Sequence, residues 1–207
     1  ERMMAGMTTS ELLRTPFYDW HVEQGARMVD FAGWSMPVQY NSIVAEHLAT
    51  RERATVFDIS HMGRLRFDGP DSGRFLDRLL TRRVLDLRPG RIRYALVANT
   101  EGGILDDVLV YHQQAPSGTD SHMLVVNAGN RTKIVQWIQA QLQPEDEVMM
   151  SDRTEETAML AIQGPRAIEL VDPLLDADVQ SMAYYRSRTT KQMGKVCIVS
   201  RTGYTGE

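Results

Sequence analysis

Hydrophobic positions recur with two different periods along this chain of 207 residues, which predicts that helices and strands are mixed. A period near 3.6 predicts one helix over residues 43–55 and a second helix after the Gly-Pro-Asp run at residues 69–71. A period of two predicts a strand over residues 92–99, a Gly-rich turn at 100–103 and a second strand over 104–112. Because these two strands adjoin in sequence, we expect a β-hairpin.

The second half of the chain continues with the same two periods. Strands are predicted at residues 123–127, 158–163 and 196–200. Asn130 is predicted to cap the helix that follows it. Residues 31–37 combine glycine, proline and two aromatic residues, and we interpret them as a packed loop. The hairpins and the irregular order favour an α+β fold, with mixed or antiparallel sheets and flanking helices, over a doubly wound parallel sheet.

The composition is that of a globular protein, with 43% hydrophobic and 24% charged residues. A formal net charge of -4 argues against broad binding to nucleic acid. No apolar stretch approaches a membrane span, and the first residues lack the apolar segment of a secretory signal. The single cysteine, Cys197, excludes an intrachain disulfide. We therefore expect a cytoplasmic protein that has neither nucleic acid nor membrane as a partner.

One short stretch departs from this acidic balance, because seven arginines crowd residues 74–93 with only Asp77 and Asp86 between them. We interpret the stretch as a solvated helix face and loop. The sharper alternative is a docking patch for an acidic protein partner. The arginines are Arg74, Arg78, Arg82, Arg83, Arg88, Arg91 and Arg93.

The most informative local feature is a pair of adjacent carboxylates, Asp106 and Asp107, inside the apolar run 104–110. Aspartate is depleted from strands, and alternation points these two side chains to opposite faces of the predicted strand. One of them therefore points toward the core, where a carboxylate needs a hydrogen-bonding partner, a ligand or a raised pKa. A functional carboxylate and a structural one that caps a nearby loop both remain open.

Two further motifs carry less information. The Ser-His pair within residues 57–62 is not a catalytic dyad, because neighbouring residues rarely face each other, and we interpret it as a strand start with a hydrogen-bonded histidine. Residues 201–207 place two glycines around Tyr204 and end on Glu207, which suits either a planar ligand or an ordinary Gly-rich turn. The chain has no zinc-ligand spacing, P-loop or G-x-G-x-x-G motif, so no metal site is expected.

Taken in order, these segments resemble the aminomethyltransferase family, the T-proteins of the glycine cleavage system. Each match is short, and their joint order and spacing make the resemblance specific. The matching stretches are residues 15–21, 25–34, 36–40, 57–63, 99–110, 125–128, 161–165 and 201–207.

The resemblance implies domains arranged as a cloverleaf around a central folate pocket. The first domain would be discontinuous, formed by residues 1–55 and 155–207, with a second domain inserted at residues 56–154. Members of the family continue beyond the Thr-Gly-Tyr-Thr-Gly-Glu motif into the rest of the first domain and a third domain. This chain would thus be an N-terminal portion, and we expect it to be inactive by itself.

The resemblance also implies a reaction and its site. Family members transfer the methylene of an aminomethyl group, carried on the lipoyl arm of the H-protein, to tetrahydrofolate as co-substrate, and they release ammonia. The Asp106-Asp107 pair falls on the carboxylate that activates the folate amine, with Asp107 favoured and Asp106 kept as the alternative. Glu207 would hold the pterin ring with Tyr204 beside it, and the arginine-rich stretch is a candidate docking site for the H-protein. The folate-binding residues implied by the resemblance are Met62, Tyr94, Asn127, Tyr204 and Glu207.

Two other functions share the folate module. Demethylating oxidoreductases for sarcosine or dimethylglycine usually carry a flavin domain ahead of it, whereas the pattern here begins at Thr15 with no dinucleotide motif before it. A folate-binding protein without transferase activity would not be expected to keep residues 102–107 together with the Gly-Trp and His-Met segments. The enzyme is therefore favoured.

Overall fold

The computed structural model describes residues 11–115, 117–203 and 205–206. These ranges contain twelve strands and five α-helices, and the helices flank sheets that are antiparallel except for one short parallel pairing. The α+β class predicted from the sequence is confirmed. None of the helices in these ranges is long and apolar enough to span a membrane.

The elements follow one another in an irregular order of helices and strands. The helices are α1 (Tyr18–Glu23), α2 (Ile43–Glu52), α3 (Ser72–Leu79), α4 (Arg131–Gln141) and α5 (Ala167–Val171). The strands are β1 (Leu13–Arg14), β2 (Arg27–Phe31), β3 (Trp34–Gln39), β4 (Thr55–Asp58), β5 (Gly63–Asp68), β6 (Ile92–Ala98), β7 (Ile104–Gln114), β8 (Asp120–Val126), β9 (Met149–Asp152), β10 (Leu160–Gln163), β11 (Arg186–Gln192) and β12 (Lys195–Arg201).

The largest sheet has five strands in the order β6-β7-β8-β5-β9, and all of its neighbours are antiparallel. Its predicted β6–β7 hairpin is confirmed, with the turn at residues 100–103. One face of this sheet packs against α3 and α4, whose buried side chains include Phe75, Leu76, Ile134 and Ile138. This packing forms the main hydrophobic core.

Three smaller sheets surround the large one. Strands β1, β3 and β2 form one sheet, β10 pairs with β4, and β11 forms a hairpin with β12. The β4–β10 pairing joins residues 55–58 to residues 160–163. The chain segments that precede and follow the large sheet in sequence therefore meet again. The division into domains at residues 55/56 and 154/155 stays a prediction.

Residues 31–37 are not the packed loop that was expected, because they belong to the β2–β3 hairpin. Its turn residues Ala32 and Gly33 have φ values of 54° and 80°, the positive pair that a two-residue I′ hairpin turn requires. Pro37 is tolerated because it adjoins a register shift in which Val38 has no partner on β2. The prediction was wrong because glycine and proline are common in loops, but both are also compatible with a hairpin that contains a bulge.

Two helices also differ in detail from the predictions. Helix α2 ends at Glu52 rather than at residue 55, because Arg53 leaves helical geometry and β4 begins at Thr55. Its apolar side chains Ile43 and Val44 are mostly exposed. Asn130 does precede α4, but its side chain makes no cap hydrogen bond and instead donates to a carboxylate on β7.

Candidate active site

The two faces of β7 separate the adjacent aspartates. Asp106, Val108 and Val110 point to the face that α3 and α4 cover, and Asp107 and Leu109 point to the opposite face. The separation follows from strand alternation, which the sequence had predicted. What the structure adds is which face the helices cover, and it assigns the covered face to Asp106.

Four of the predicted site residues come together at one end of the face opposite the helices, where Asp107 is exposed although Leu109 and Val125 are buried. In the β6–β7 ladder Asp107 pairs with Leu96 and Leu109 pairs with Tyr94, so Tyr94 is the diagonal neighbour of Asp107. Asn127 directly follows β8, next to the β7 aspartates, and Met62 directly precedes β5. Met62 packs in the small hydrophobic cluster that also contains Leu109.

Asp106 is fully enclosed by hydrogen-bond donors, with only 3% of its surface exposed. One carboxylate oxygen accepts from the side-chain amides of Asn127 at 2.9 Å and Asn130 at 2.6 Å, and the other accepts from the backbone N–H of Asn127 at 3.0 Å. These bonds anchor the end of β8 and the start of α4 to β7. The geometry is that of a structural carboxylate that ties down a loop.

Asp107 has the opposite character, because its side chain is exposed and only partly engaged. Its carboxylate accepts from the Asn127 side-chain amide at 2.9 Å and from the Tyr94 hydroxyl. Local desolvation and the charge of Asp107 raise the pKa of Tyr94, so the phenol stays protonated and donates. The single amide of Asn127 thus bridges both aspartates and holds Asp107 in a fixed orientation with open lone pairs.

The tip of the β2–β3 hairpin lies beside this cluster. A Cβ built on Gly129 would lie 3.7 Å from the Cβ of Ala32, which places the hairpin turn against the segment between Asn127 and α4. The neighbouring Phe31 is largely exposed and meets His61 edge-on, with ring centroids 5.4 Å apart. These residues were not predicted to be part of the site, since nothing in their local pattern links residues 31–33 to residue 129.

His61 itself differs from the expectation of a hydrogen-bonded histidine. Its ring is 8% exposed, and its Nδ1 atom is buried without a hydrogen-bond partner among the described residues. Burial lowers the pKa of His61, and Arg64 lowers it further while Asp58 opposes the shift. The imidazole is therefore held neutral beside Met62.

A buried arginine fixes the loop that carries Met62. All five N–H groups of the Arg64 guanidinium donate, to the backbone carbonyls of Ser60, Met62, Thr154 and Thr157 and to the Thr157 hydroxyl. Burial lowers the pKa of Arg64 to about 10. Arg64 was not among the predicted site residues, because four of its five hydrogen bonds go to backbone carbonyls, which leave no trace in a residue pattern.

The other predicted ligands lie at the end of the chain. Tyr204 and Glu207 are outside the described residues. The backbone leading to them passes Tyr184, since a Cβ on Gly203 would lie 3.5 Å from the Tyr184 hydroxyl. The adjacent Tyr185 packs against the same small cluster as Met62, so this segment approaches the sheet face opposite the helices.

A cavity of about 780 Å³ lies elsewhere, between α1, α2, β3 and β4. In its wall His21 contacts the Tyr40 hydroxyl at 2.6 Å through Nδ1 and Asp58 at 3.0 Å through Nε2. Burial opposes ionisation of Asp58, but hydrogen bonds from Ser60, Thr15 and His21 prevail and lower its pKa. In the described ranges no group of three or more His, Cys, Asp or Glu side chains is arranged to hold a metal ion.

The sequence and the fold match one known class of protein. Residues 17–207 match the family model described as the GCVT N-terminal domain. The chain belongs to this family, the aminomethyltransferases of glycine cleavage.

Individual relatives agree with this assignment. The chain is 47% identical over 204 residues to an aminomethyltransferase of Rubrobacter xylanophilus, covering 99% of this chain and 53% of that protein. It is 44% identical over 198 residues to one of Moorella thermoacetica, with coverage of 96% and 53%. The solved glycine cleavage system aminomethyltransferase T of Bartonella henselae superposes with a TM-score of 0.83 at 32% identity, covering 94% of this chain and 51% of that one. The chain thus spans about half the length of the relatives it matches.

Proposed function

We propose that the complete protein is a tetrahydrofolate-dependent aminomethyltransferase, which moves the methylene of an aminomethyl group from lipoylated H-protein to tetrahydrofolate and releases ammonia. Family membership supports the reaction class. The observation that carries the proposal is the exposed Asp107 carboxylate, held on an otherwise apolar sheet face by Asn127 and Tyr94.

Asp107 is the residue we propose to act on the folate amine. The reaction needs an amine nitrogen to attack a methylene carbon and then lose a proton. An exposed carboxylate with free lone pairs can accept a hydrogen bond from that nitrogen and take up its proton. Asp106 cannot do this without breaking the three hydrogen bonds that it accepts from N–H groups. Its proposed role is therefore to hold Asn127, which in turn orients Asp107.

The same face suits a flat, amine-bearing ring. Tyr94 is 45% exposed and Leu96 is partly exposed beside Asp107, which offers an apolar floor next to a hydrogen-bond acceptor. We propose that Met62, Tyr94 and Asn127 line the folate pocket, and that Tyr204 and Glu207 contribute to it. The arm of the H-protein would deliver its aminomethyl group to this face.

The division into domains is also proposed. The five-stranded sheet lies wholly between residues 63 and 152, inside the proposed inserted domain of residues 56–154. The β4–β10 pairing supports the return of the chain to a first domain formed by residues 1–55 and 155–207, although β4 itself lies just past the predicted boundary.

The test uses the complete reading frame and measures ammonia release from aminomethyl-loaded H-protein, with and without tetrahydrofolate. Asp107→Asn should lower folate-dependent release by about 10²- to 10⁴-fold, the range of a lost general base. Asp176→Asn, which alters an exposed aspartate before β11, is the matched control and should retain full activity. Folate binding without ammonia release in the wild type would contradict the transferase and favour a folate-binding protein.

A further inference from the structure

The arginine-rich stretch separates into two groups in the structure. Three of its members lie beside acids and form ion pairs, so they carry little free positive charge. These pairs are Arg74–Asp71 at 2.5 Å, Arg78–Asp146 at 2.7 Å and Arg93–Asp86 at 2.5 Å.

The fold brings two arginines from a distant part of the chain next to Arg88 and Arg91, which belong to the group without an ion pair among the described residues. Arg91 forms an antiparallel bridge with Arg186, the first residue of β11, and Arg188 follows on the same strand. The backbone N–H of Ser187 donates to the Gly90 carbonyl at 2.9 Å and locks the two segments together. We call the surface formed by Arg88, Arg91, Arg186 and Arg188 the basic patch.

The basic patch is only partly neutralised within the part of the chain that the structure describes, where the Asp178 carboxylate interacts electrostatically with Arg188. Arg88, Arg91 and Arg186 form no ion pair there, and Arg188 donates only to the backbone carbonyl of Asp178. Partial burial lowers the pKa of Arg186, and the charges of Arg91, Arg88 and Arg188 lower it further. Like charges held together are unfavourable unless an anionic surface meets them.

We propose that the basic patch docks the acidic face of the carrier protein that delivers the aminomethyl group. The inference rests on the proposed function. Charge complementarity carries it, because this chain has a net charge of -4 and still concentrates four arginines at one place. The patch borders a cleft of about 420 Å³ between residues 89–90 and 181–188. Tyr184, two residues before Arg186, is 60% exposed, and exposed aromatic residues near arginines are typical anchors of protein interfaces.

The position of the basic patch suits a carrier with a movable arm. Arg91 immediately precedes β6, and the residue opposite Asp107 on that strand is Leu96, five positions further along. At about 3.4 Å per residue the two positions are about 17 Å apart along the strand. A protein docked at the patch therefore stands about five residues along β6 from the position opposite Asp107, whose side chain stays exposed.

The test uses the complete protein and the variant Arg91→Glu/Arg186→Glu. We expect the KM for loaded carrier to rise about tenfold or more at low ionic strength, with kcat and the KM for tetrahydrofolate unchanged. High salt should shrink the difference, because it screens exposed charges. Arg51→Glu is the matched control, since Arg51 is exposed on α2 and outside the patch, and it should leave both constants unchanged.

Two outcomes would overturn the inference. An unchanged KM for the carrier rules out docking at the patch, and a rise confined to the KM for tetrahydrofolate assigns the patch to the carboxylates of the folate instead. If the double variant does not fold, as judged by circular dichroism, Arg88→Glu and Arg188→Glu give the same test at exposed positions. Should the wild type release no ammonia, the proposed function fails, and calorimetric titration of carrier into wild type and variant still decides the docking surface.

Discussion

Exchanging each of the two adjacent aspartates for asparagine should have opposite consequences. Asp106→Asn changes a buried carboxylate that accepts three hydrogen bonds from N–H groups. Asp107→Asn changes an exposed carboxylate that accepts two hydrogen bonds, from the Asn127 amide and the Tyr94 hydroxyl. The substitution keeps the volume of the side chain, removes its charge and turns one acceptor oxygen into an NH₂ donor. We expect Asp106→Asn to lose stability and Asp107→Asn to lose activity.

The magnitude follows from the donors around Asp106. An asparagine there can still offer its carbonyl oxygen to the side-chain amides of Asn127 and Asn130, but its NH₂ group then faces the backbone N–H of Asn127. One charge-assisted hydrogen bond is lost, at about 1.5–3 kcal/mol, and both the backbone N–H of Asn127 and the new NH₂ group are left without an acceptor, which adds a further penalty. The free energy of unfolding should fall by about 2–4 kcal/mol. For the exposed Asp107 the change should stay within about 0.5–1 kcal/mol.

The assay is urea unfolding of the complete wild-type and variant proteins, followed by tryptophan fluorescence, together with the ammonia-release rate of the same samples. Adding Asn130→Ala to Asp106→Asn should cost less than the sum of the two single changes, because the bond from Asn130 goes to a charged carboxylate in the wild type and only to a neutral carbonyl in Asp106→Asn. The reasoning is refuted if Asp107→Asn destabilises the protein as much as Asp106→Asn does. It is also refuted if Asp106→Asn leaves the unfolding midpoint unchanged.

Three further predictions concern the framework around the site. Burial, with a smaller contribution from the stacked His112, lowers the pKa of His122 from 6.5 to about 4, so protons bind the unfolded chain first. Stability should therefore be fully present above about pH 6.5 and decline by up to about 3 kcal/mol as the pH falls toward 4, seen as a drop in the urea midpoint. Arg64→Lys should cost about 3–5 kcal/mol, because an ammonium with three donors cannot replace five N–H groups in a fixed plane. Gly164→Ala should cost about 3 kcal/mol by the same measurement, because φ is 118° and the new Cβ would lie 2.5 Å from the Thr50 carbonyl oxygen.

Each of these has a simple control. His122→Gln should flatten the pH dependence, and an equal slope in wild type and variant would contradict the assignment. Arg66→Lys changes a partly exposed arginine on the same strand and should cost less than half as much as Arg64→Lys. Gly102→Ala also has a positive φ but meets no atom within 4 Å, so a cost equal to that of Gly164→Ala would refute the steric argument.

Short-range pattern was sufficient for much of the fold. The apolar residues at helical spacing within 75–80 correctly predicted α3. The alternation of side chains between the two faces of a strand after residue 92 correctly predicted the β6–β7 hairpin. The same alternation correctly predicted that Asp106 and Asp107 lie on opposite faces of the sheet. These features depend on neighbours within a few positions, which a single sequence displays directly.

Contacts between distant segments were not accessible in this way. The β2–β3 hairpin was taken for a loop, because its bulge beside Pro37 and its positive-φ turn are unusual combinations of familiar residues. Asn130 was assigned to a helix cap, whereas its amide is used by Asp106. The carbonyl partners of Arg64 could not be inferred, since every residue carries a carbonyl group.

By itself the sequence determined the class of fold, the strand that carries the two aspartates and the family resemblance, because periodicity and motif order are properties of the linear chain. Only the tertiary structure decided that α3 and α4 cover the Asp106 side of the sheet, leaving Asp107 exposed. It likewise decided that Arg91 meets Arg186 while Arg78 is neutralised by Asp146. Burial and charge pairing depend on which distant segments pack together, and that is settled by the packing of the whole chain rather than by any local pattern.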